Sequence, residues 1–215
     1  QNTPSGKGVF GLTSSAGGVY AGSSNPPFTS STTPVPLSAY GRLKLDQERI
    51  TQTLSPEIPV VSLRLSNLYG PGQNLTKLQG IISHLALAAI TRKPVKIFVP
   101  LDTLRDYIYV DDAAGRAIHW IRQTHSRQGR TVRLVASGQP ITLGRVISLM
   151  NDVCRVRIPL AFGLDSSATY QVRDLRMFPD VDSVTRQMQL TPLPSGMKQT
   201  LLNVSGLHAD AVIVD

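Results

Sequence analysis

Cysteine is nearly absent from this chain. Cys154 stands alone among 215 residues, which excludes an internal disulfide and fits a reducing, cytoplasmic setting. Aromatic residues make up only 6%, too few for an evident base-stacking platform. Acidic side chains are also scarce, with 14 Asp and Glu against 22 Lys and Arg and a net charge of +8. The arginines (among them Arg42, Arg64, Arg92, Arg105 and Arg173) are scattered rather than clustered. A small anionic ligand therefore explains the charge better than nucleic acid does. No run of about 18 apolar residues occurs, so no membrane span is expected. The four histidines show no metal-ligand spacing, and no Gly-x-Ser-x-Gly elbow occurs. Gln1 to Gly8 has neither a basic n-region nor an apolar h-region, and lacks an initiating Met. That end is expected to be cut or internal.

What is present alternates between strand and helix patterns. Gly8–Ser14 reads as a buried strand, Ser38 as the cap of a helix reaching Leu54, and Ile58–Leu65 as a strand entering a polar turn at Ser66–Gly72. Leu78–Thr91 is a strongly apolar helix, with short strands at Val95–Val99 and Tyr107–Val110. Asp111 is placed to cap a helix reaching about Gln123. Thr131–Ala136 is another strand, and Thr142 caps the helix carrying Val146, Leu149, Met150 and Val153. Ser23–Leu37, with four prolines among Ser and Thr, is a long surface loop. Strands alternating with helices indicate an α/β fold with a mainly parallel sheet.

The most informative local pattern is Tyr40-Gly41-Arg42-Leu43-Lys44, shortly after Leu12-Thr13-Ser14-Ser15-Ala16-Gly17-Gly18-Val19-Tyr20. A Tyr and a Lys four residues apart share one face of a helix. An ammonium beside a phenol favours the phenolate, so such a phenol can exchange a proton near neutrality. With a nearby serine hydroxyl, the set could take a proton from a substrate alcohol.

These motifs, with Arg64-Leu65-Ser66-Asn67-Leu68-Tyr69-Gly70-Pro71-Gly72-Gln73, Arg105-Asp106-Tyr107-Ile108-Tyr109-Val110-Asp111-Asp112 and Ala136-Ser137-Gly138-Gln139 in that order, resemble the extended short-chain dehydrogenase/reductase family. Within it they are similar to the UDP-glucose 4-epimerase-like, NAD-dependent epimerase/dehydratase branch. The resemblance implies the C-terminal part of a Rossmann-like doubly wound parallel sheet plus a smaller mixed α/β substrate-binding region. Residues 1–75 would form the partial Rossmann-like catalytic region. Residues 76–215 would form the substrate-binding region, with some segments returning to the sheet. It further implies a catalytic set of Ser15, Tyr40 and Lys44, with Tyr40 as general acid/base and Lys44 also holding the nicotinamide ribose. Ser14, Tyr40, Lys44 and Leu65 would meet NAD or NADP. Ser15, Asn67, Arg105 and Arg173 would meet a nucleotide-sugar substrate.

Ser15 is one position from the family's usual serine place, which holds Ala16 here. Val99-Pro100-Leu101-Asp102-Thr103-Leu104 replaces the family's Gly-Asp-Gly stretch, and Ala168-Thr169-Tyr170-Gln171 replaces an Arg-Pro-Gly-Asp contact. Arg173 is the residue that would compensate. Asp111 and Asp112 are read as helix-start residues, not as catalysts. Family members often pair through the Tyr-bearing helix, so a homodimer is expected. The expected reaction is nucleotide-sugar epimerisation, with dehydratase and reductase chemistry as variants. The Ser-Ser-Ala-Gly-Gly run lacks the acidic pair usual beside a dehydratase Thr. No cofactor-binding glycine loop between a first strand and helix is identified. Gly6-Lys7-Gly8 and Gly17-Gly18 both lie beside the strand leading to the serine motif. The chain alone is thus expected to bind NAD weakly, and to leave apolar faces in need of a partner. The alternative is a degenerate, non-catalytic relative acting as a binding or regulatory module.

Overall fold

The computed structural model describes residues 8–54, 58–77, 79–125, 129–163 and 172–213. Its first sheet is parallel throughout, in the order β1 (Phe10–Ser15), β2 (Val60–Leu65), β6 (Arg130–Val135). β2, Val-Val-Ser-Leu-Arg-Leu, lies in the middle and is buried on both faces, as its nearly unbroken apolar run requires. The family-like turn between β1 and β2 is built by α1 (Ala16–Tyr20) and α2 (Ala39–Gln52). Ser15 caps the first through its hydroxyl and Ser38 caps the second.

A second sheet runs β3 (Asn67–Tyr69), β5 (Leu104–Tyr109), β7 (Pro140–Thr142), with β9 (Asp174–Leu175) also on β5. β4 (Val95–Ile97) pairs with β8 (Leu160–Phe162) in parallel. Against these pack α3 (Ile81–Thr91), α4 (Val110–Thr124), α5 (Leu143–Cys154), α6 (Ser183–Gln187) and α7 (Leu193–Ile213). The main apolar core joins α3, α5 and α7 through Ile82, Leu85, Val146, Met150, Met197 and Val204. A smaller cluster under α1 contains Val19, Tyr20, Phe28, Leu134 and Met177.

Four details differ from expectation. The polar turn after β2 contains a strand, because Asn67–Tyr69 pairs with Tyr107–Tyr109. β5 starts at Leu104 rather than Tyr107, extended by backbone bonds to β7 and β9, so Arg105 lies inside a strand. Tyr109, not Asp111, occupies the N-cap of α4; Asp111 and Asp112 fall in its first turn, and Asp112 accepts hydrogen bonds from Thr191 N and Oγ1. The proline-rich loop is not loose along its length: Phe28 is buried, and its N–H and C=O bond Arg176 O and Phe178 N. β6 returns from beyond residue 76 to the first sheet, as expected of the second region. The Ala168–Gln171 departure lies outside the described residues.

Candidate active site

Two glycines bring the expected acid/base residues together. α2 crosses α1 so closely that a Cβ on Gly41 would collide with the Gly18 carbonyl oxygen. On Gly18, a Cβ would lie 3.2 Å from both Ser15 Oγ and Tyr40 Cε1. The Tyr40 ring therefore rests over Gly18, and its edge is no more than twice that distance from the serine hydroxyl. A larger residue at either position would force the helices apart.

Ser15 Oγ accepts the Gly18 N–H at 3.1 Å, which leaves its own proton free for donation. Tyr40 is 47% exposed, open to a ligand. Lys44, one turn on, points its ammonium at the Thr13 carbonyl (3.3 Å), with Nζ 5.9 Å from the Tyr40 ring centre. Leu65 pairs with Ser15 across β1 and β2, at the carboxyl ends of parallel strands where open α/β sheets bind ligands. Asn67 Oδ1 lies 4.0 Å from the place a Gly17 Cβ would take, so Asn67 reaches the same corner. Leu175 meets Gly17 there, and in β9 it pairs with Arg105.

Arg105 is held in place by bonds to Leu104 O and Val172 O, both 2.8 Å. Burial pulls its pKa below the ordinary arginine value, against the attraction of Tyr107 and Asp174. A guanidinium carries five N–H donors, so three remain for an anion. Two expected contacts fall elsewhere. Ser14 turns its hydroxyl into the interior, where it donates to Glu48, leaving only backbone for a cofactor. Arg173 is exposed and pairs with Asp102 at 3.4 Å, in the role considered for Arg105.

Two buried carboxylates escaped the sequence reading. Asp106 accepts from Ser66 Oγ, Ser137 N, Ser137 Oγ and Gly138 N, all within 2.9 Å. It thus fastens the turns after β2 and β6 to β5, which explains the Ala-Ser-Gly-Gln run. Glu48 has no exposed surface and binds Ser14, Arg64 and Arg130. Its signal was its spacing: Tyr40, Lys44 and Glu48 are successive turns of one helix stripe.

The profile of the NAD dependent epimerase/dehydratase family matches residues 5–134, more than half of the chain. The chain belongs to the NAD dependent epimerase/dehydratase family. Among curated relatives, the dTDP-L-rhamnose 4-epimerase of Burkholderia thailandensis is 32% identical over 117 residues, covering 52% of this chain and 31% of that protein. The dTDP-glucose 4,6-dehydratase of Salmonella typhimurium is 28% identical over 185 residues, 82% of this chain and 50% of that one. The chain thus spans half or less of these relatives' length. Among solved structures, MoeE5 in complex with UDP-glucose and NAD superposes with a TM-score of 0.77 at 26% identity, covering 94% of this chain and 67% of MoeE5. The Rossmann-like α/β expectation is therefore borne out.

The residues present fit one end of NAD. Tyr40, Lys44, Ser15 and Leu65 line an open corner suited to a nicotinamide ribose. The pyrophosphate end is different. Gly6, Gly8 and Gly11 do stand at Gly-x-Gly-x-x-Gly spacing, contrary to the expectation that no such run is present. Yet Gly11 lies inside β1, against Ile121 of α4, so the run opens a strand and not a helix N-terminus. That spacing does not form a phosphate cradle. Among the described residues no group of His, Cys, Asp and Glu could hold a metal ion, and no helix is long and apolar enough to cross a membrane.

Proposed function

We propose that this chain carries the proton-transfer and sugar-nucleotide part of an NAD(P)-dependent nucleotide-sugar epimerase. The observation that supports this most is the shared contact of Ser15 Oγ and the Tyr40 ring with Gly18, with Lys44 one turn away. When bound, NAD would take a hydride from a sugar carbon and return it to the other face. Ser15 donates a hydrogen bond to the sugar hydroxyl at that carbon, and Tyr40 takes its proton and later gives it back. Lys44 favours the phenolate by charge. Arg105 and Asn67 hold the diphosphate, the first through its unused N–H donors. Dehydratase or reductase chemistry would use the same proton transfer.

The exposed apolar side chains of α2, Leu43, Ile50 and Leu54, support a homodimer through that helix. The single thiol, Cys154, is in keeping with a cytoplasmic setting. One observation favours the second reading, a non-catalytic binding module: the glycine run opens a strand instead of a phosphate-binding helix.

Calorimetric titration with UDP-glucose and dTDP-glucose tests the substrate half. The chain should bind at least one, and Arg105→Met should weaken that binding by about tenfold or more, the scale of one charge-assisted contact. Equal affinity in the Arg105→Met variant, or no binding at all, would contradict the assignment. NAD added without a sugar nucleotide should bind only weakly.

A further inference from the structure

We propose that Glu48 is a positioning residue for the Tyr40–Lys44 pair, setting the rotation of α2 through a buried ionic clamp. This rests on the reading of Tyr40 as the proton-transfer group. Glu48 sits two turns beyond Tyr40 and one beyond Lys44, facing the sheet. Its Oε1 accepts from Ser14 Oγ at 2.6 Å and Arg64 Nε at 2.9 Å. Its Oε2 accepts from Arg64 Nη2 at 2.7 Å and Arg130 Nη2 at 2.8 Å. Arg64 in turn donates to Tyr20 Oη at 2.6 Å and lies over the Tyr20 ring, and Tyr20 donates to Thr29 O. One carboxylate thereby joins α2 to β1, β2 and β6, and through Arg64 to α1.

The arrangement is directional in a way that apolar packing is not. The Arg64 fork pairs with both oxygens of Glu48, which fixes the angle as well as the distance of the contact. Burial alone would push the Glu48 carboxyl's pKa up; the bonds from Arg64 and Ser14 and the Arg64 and Arg130 charges outweigh it and hold the pKa below the ordinary value. The clamp is thus ionised at neutral pH. At the other end of α2, the Gly41–Gly18 contact sets how closely the helix approaches α1. The glycine contact fixes depth and the carboxylate fixes rotation. A helix turned by about 20° moves a group at its 5–6 Å radius by about 2 Å. Such a turn would carry Lys44 off the Thr13 carbonyl and Tyr40 off Gly18. Ser14, which binds Glu48, lies between Thr13, which binds Lys44, and Ser15, which faces Tyr40, so β1 records all three contacts in consecutive residues.

The test separates position from stability. Replacing a buried ion pair with apolar residues of similar volume is often neutral for stability. In the Glu48→Met/Arg64→Met double variant, the unfolding midpoint should therefore stay near the parent's. The nuclear Overhauser cross-peak between the Tyr40 ring and the Gly18 α-protons, assigned with Tyr40→Phe, should fall at least twofold. Glu48→Gln, which keeps the side-chain volume, should show the same loss and serves if the double variant does not fold. A parental cross-peak in a folded variant of either kind would overturn the proposal. The readout needs no turnover, so it stands apart from whether Tyr40 is catalytic, which the activity of Tyr40→Phe decides.

Discussion

The two halves of this molecule are held together by different physics. Around α3, α5 and α7 the interior is apolar, with Leu85, Ala86, Val146, Met150 and Met197 fully buried. Beneath α2 the interior holds Ser14, Glu48, Ser62 and Arg64 beside Val60 and Val61. Apolar burial stabilises without specifying a unique orientation, whereas paired charges and short hydrogen bonds work only in one geometry. The half that bears Tyr40 and Ser15 is the half built with direction. The other half supplies a solid support for Arg105.

Breaking the directional half should cost most. Glu48→Ala leaves Arg64 buried with only Tyr20 as partner, a loss of about 3–5 kcal/mol by urea unfolding. Leu85→Ala should cost about 2–5 kcal/mol, since truncation in a packed core adds a cavity to the lost transfer energy. The comparison sharpens in the site: Glu48→Ala should displace Tyr40, and Leu85→Ala should leave the Tyr40–Gly18 contact intact. A displaced Tyr40 in the Leu85 variant would mean the halves are not separable.

A smaller effect is expected with pH. The Glu48 pKa is depressed on folding, so its contribution is fully present above the unfolded value of about 4.3 and is lost as pH falls through the lower folded value. Asp182 behaves alike. Burial opposes its charge, but the Thr185 N–H, His119 and the Thr185 hydroxyl hold its carboxyl well below the usual range. Acid unfolding below about pH 4 should therefore be shallower in Glu48→Gln than in the parent. An unchanged acid slope would remove Glu48 from the account.

Much of the architecture was legible in the residues. Apolar runs gave β1, β2 and β6, and the Ser38 and Thr142 caps lie where their spacing put them. β3 was hidden, because a three-residue strand inside a Gly-Pro-Gly turn carries no periodicity and exists only by pairing with β5. Tyr40, Lys44 and Ser15 were found as a set. Glu48 and Asp106 were not, because an acidic residue on a helix or after an arginine reads by default as solvated. Only the structure shows that Arg64 and Arg130 neutralise the first, and that Ser66, Ser137 and Gly138 satisfy the second. The glycine run at Gly6, Gly8 and Gly11 teaches the reverse lesson, since spacing without a following helix N-terminus makes no phosphate site.

The most direct test of the central claim is turnover of UDP-glucose or dTDP-glucose at millimolar NAD, followed by proton NMR of the sugar, in the parent and in Tyr40→Phe. The account predicts conversion to the 4-epimer or a 4-keto sugar in the parent, slowed by about 10²-fold or more when the phenolic hydroxyl is removed. Equal rates in the two chains would contradict it.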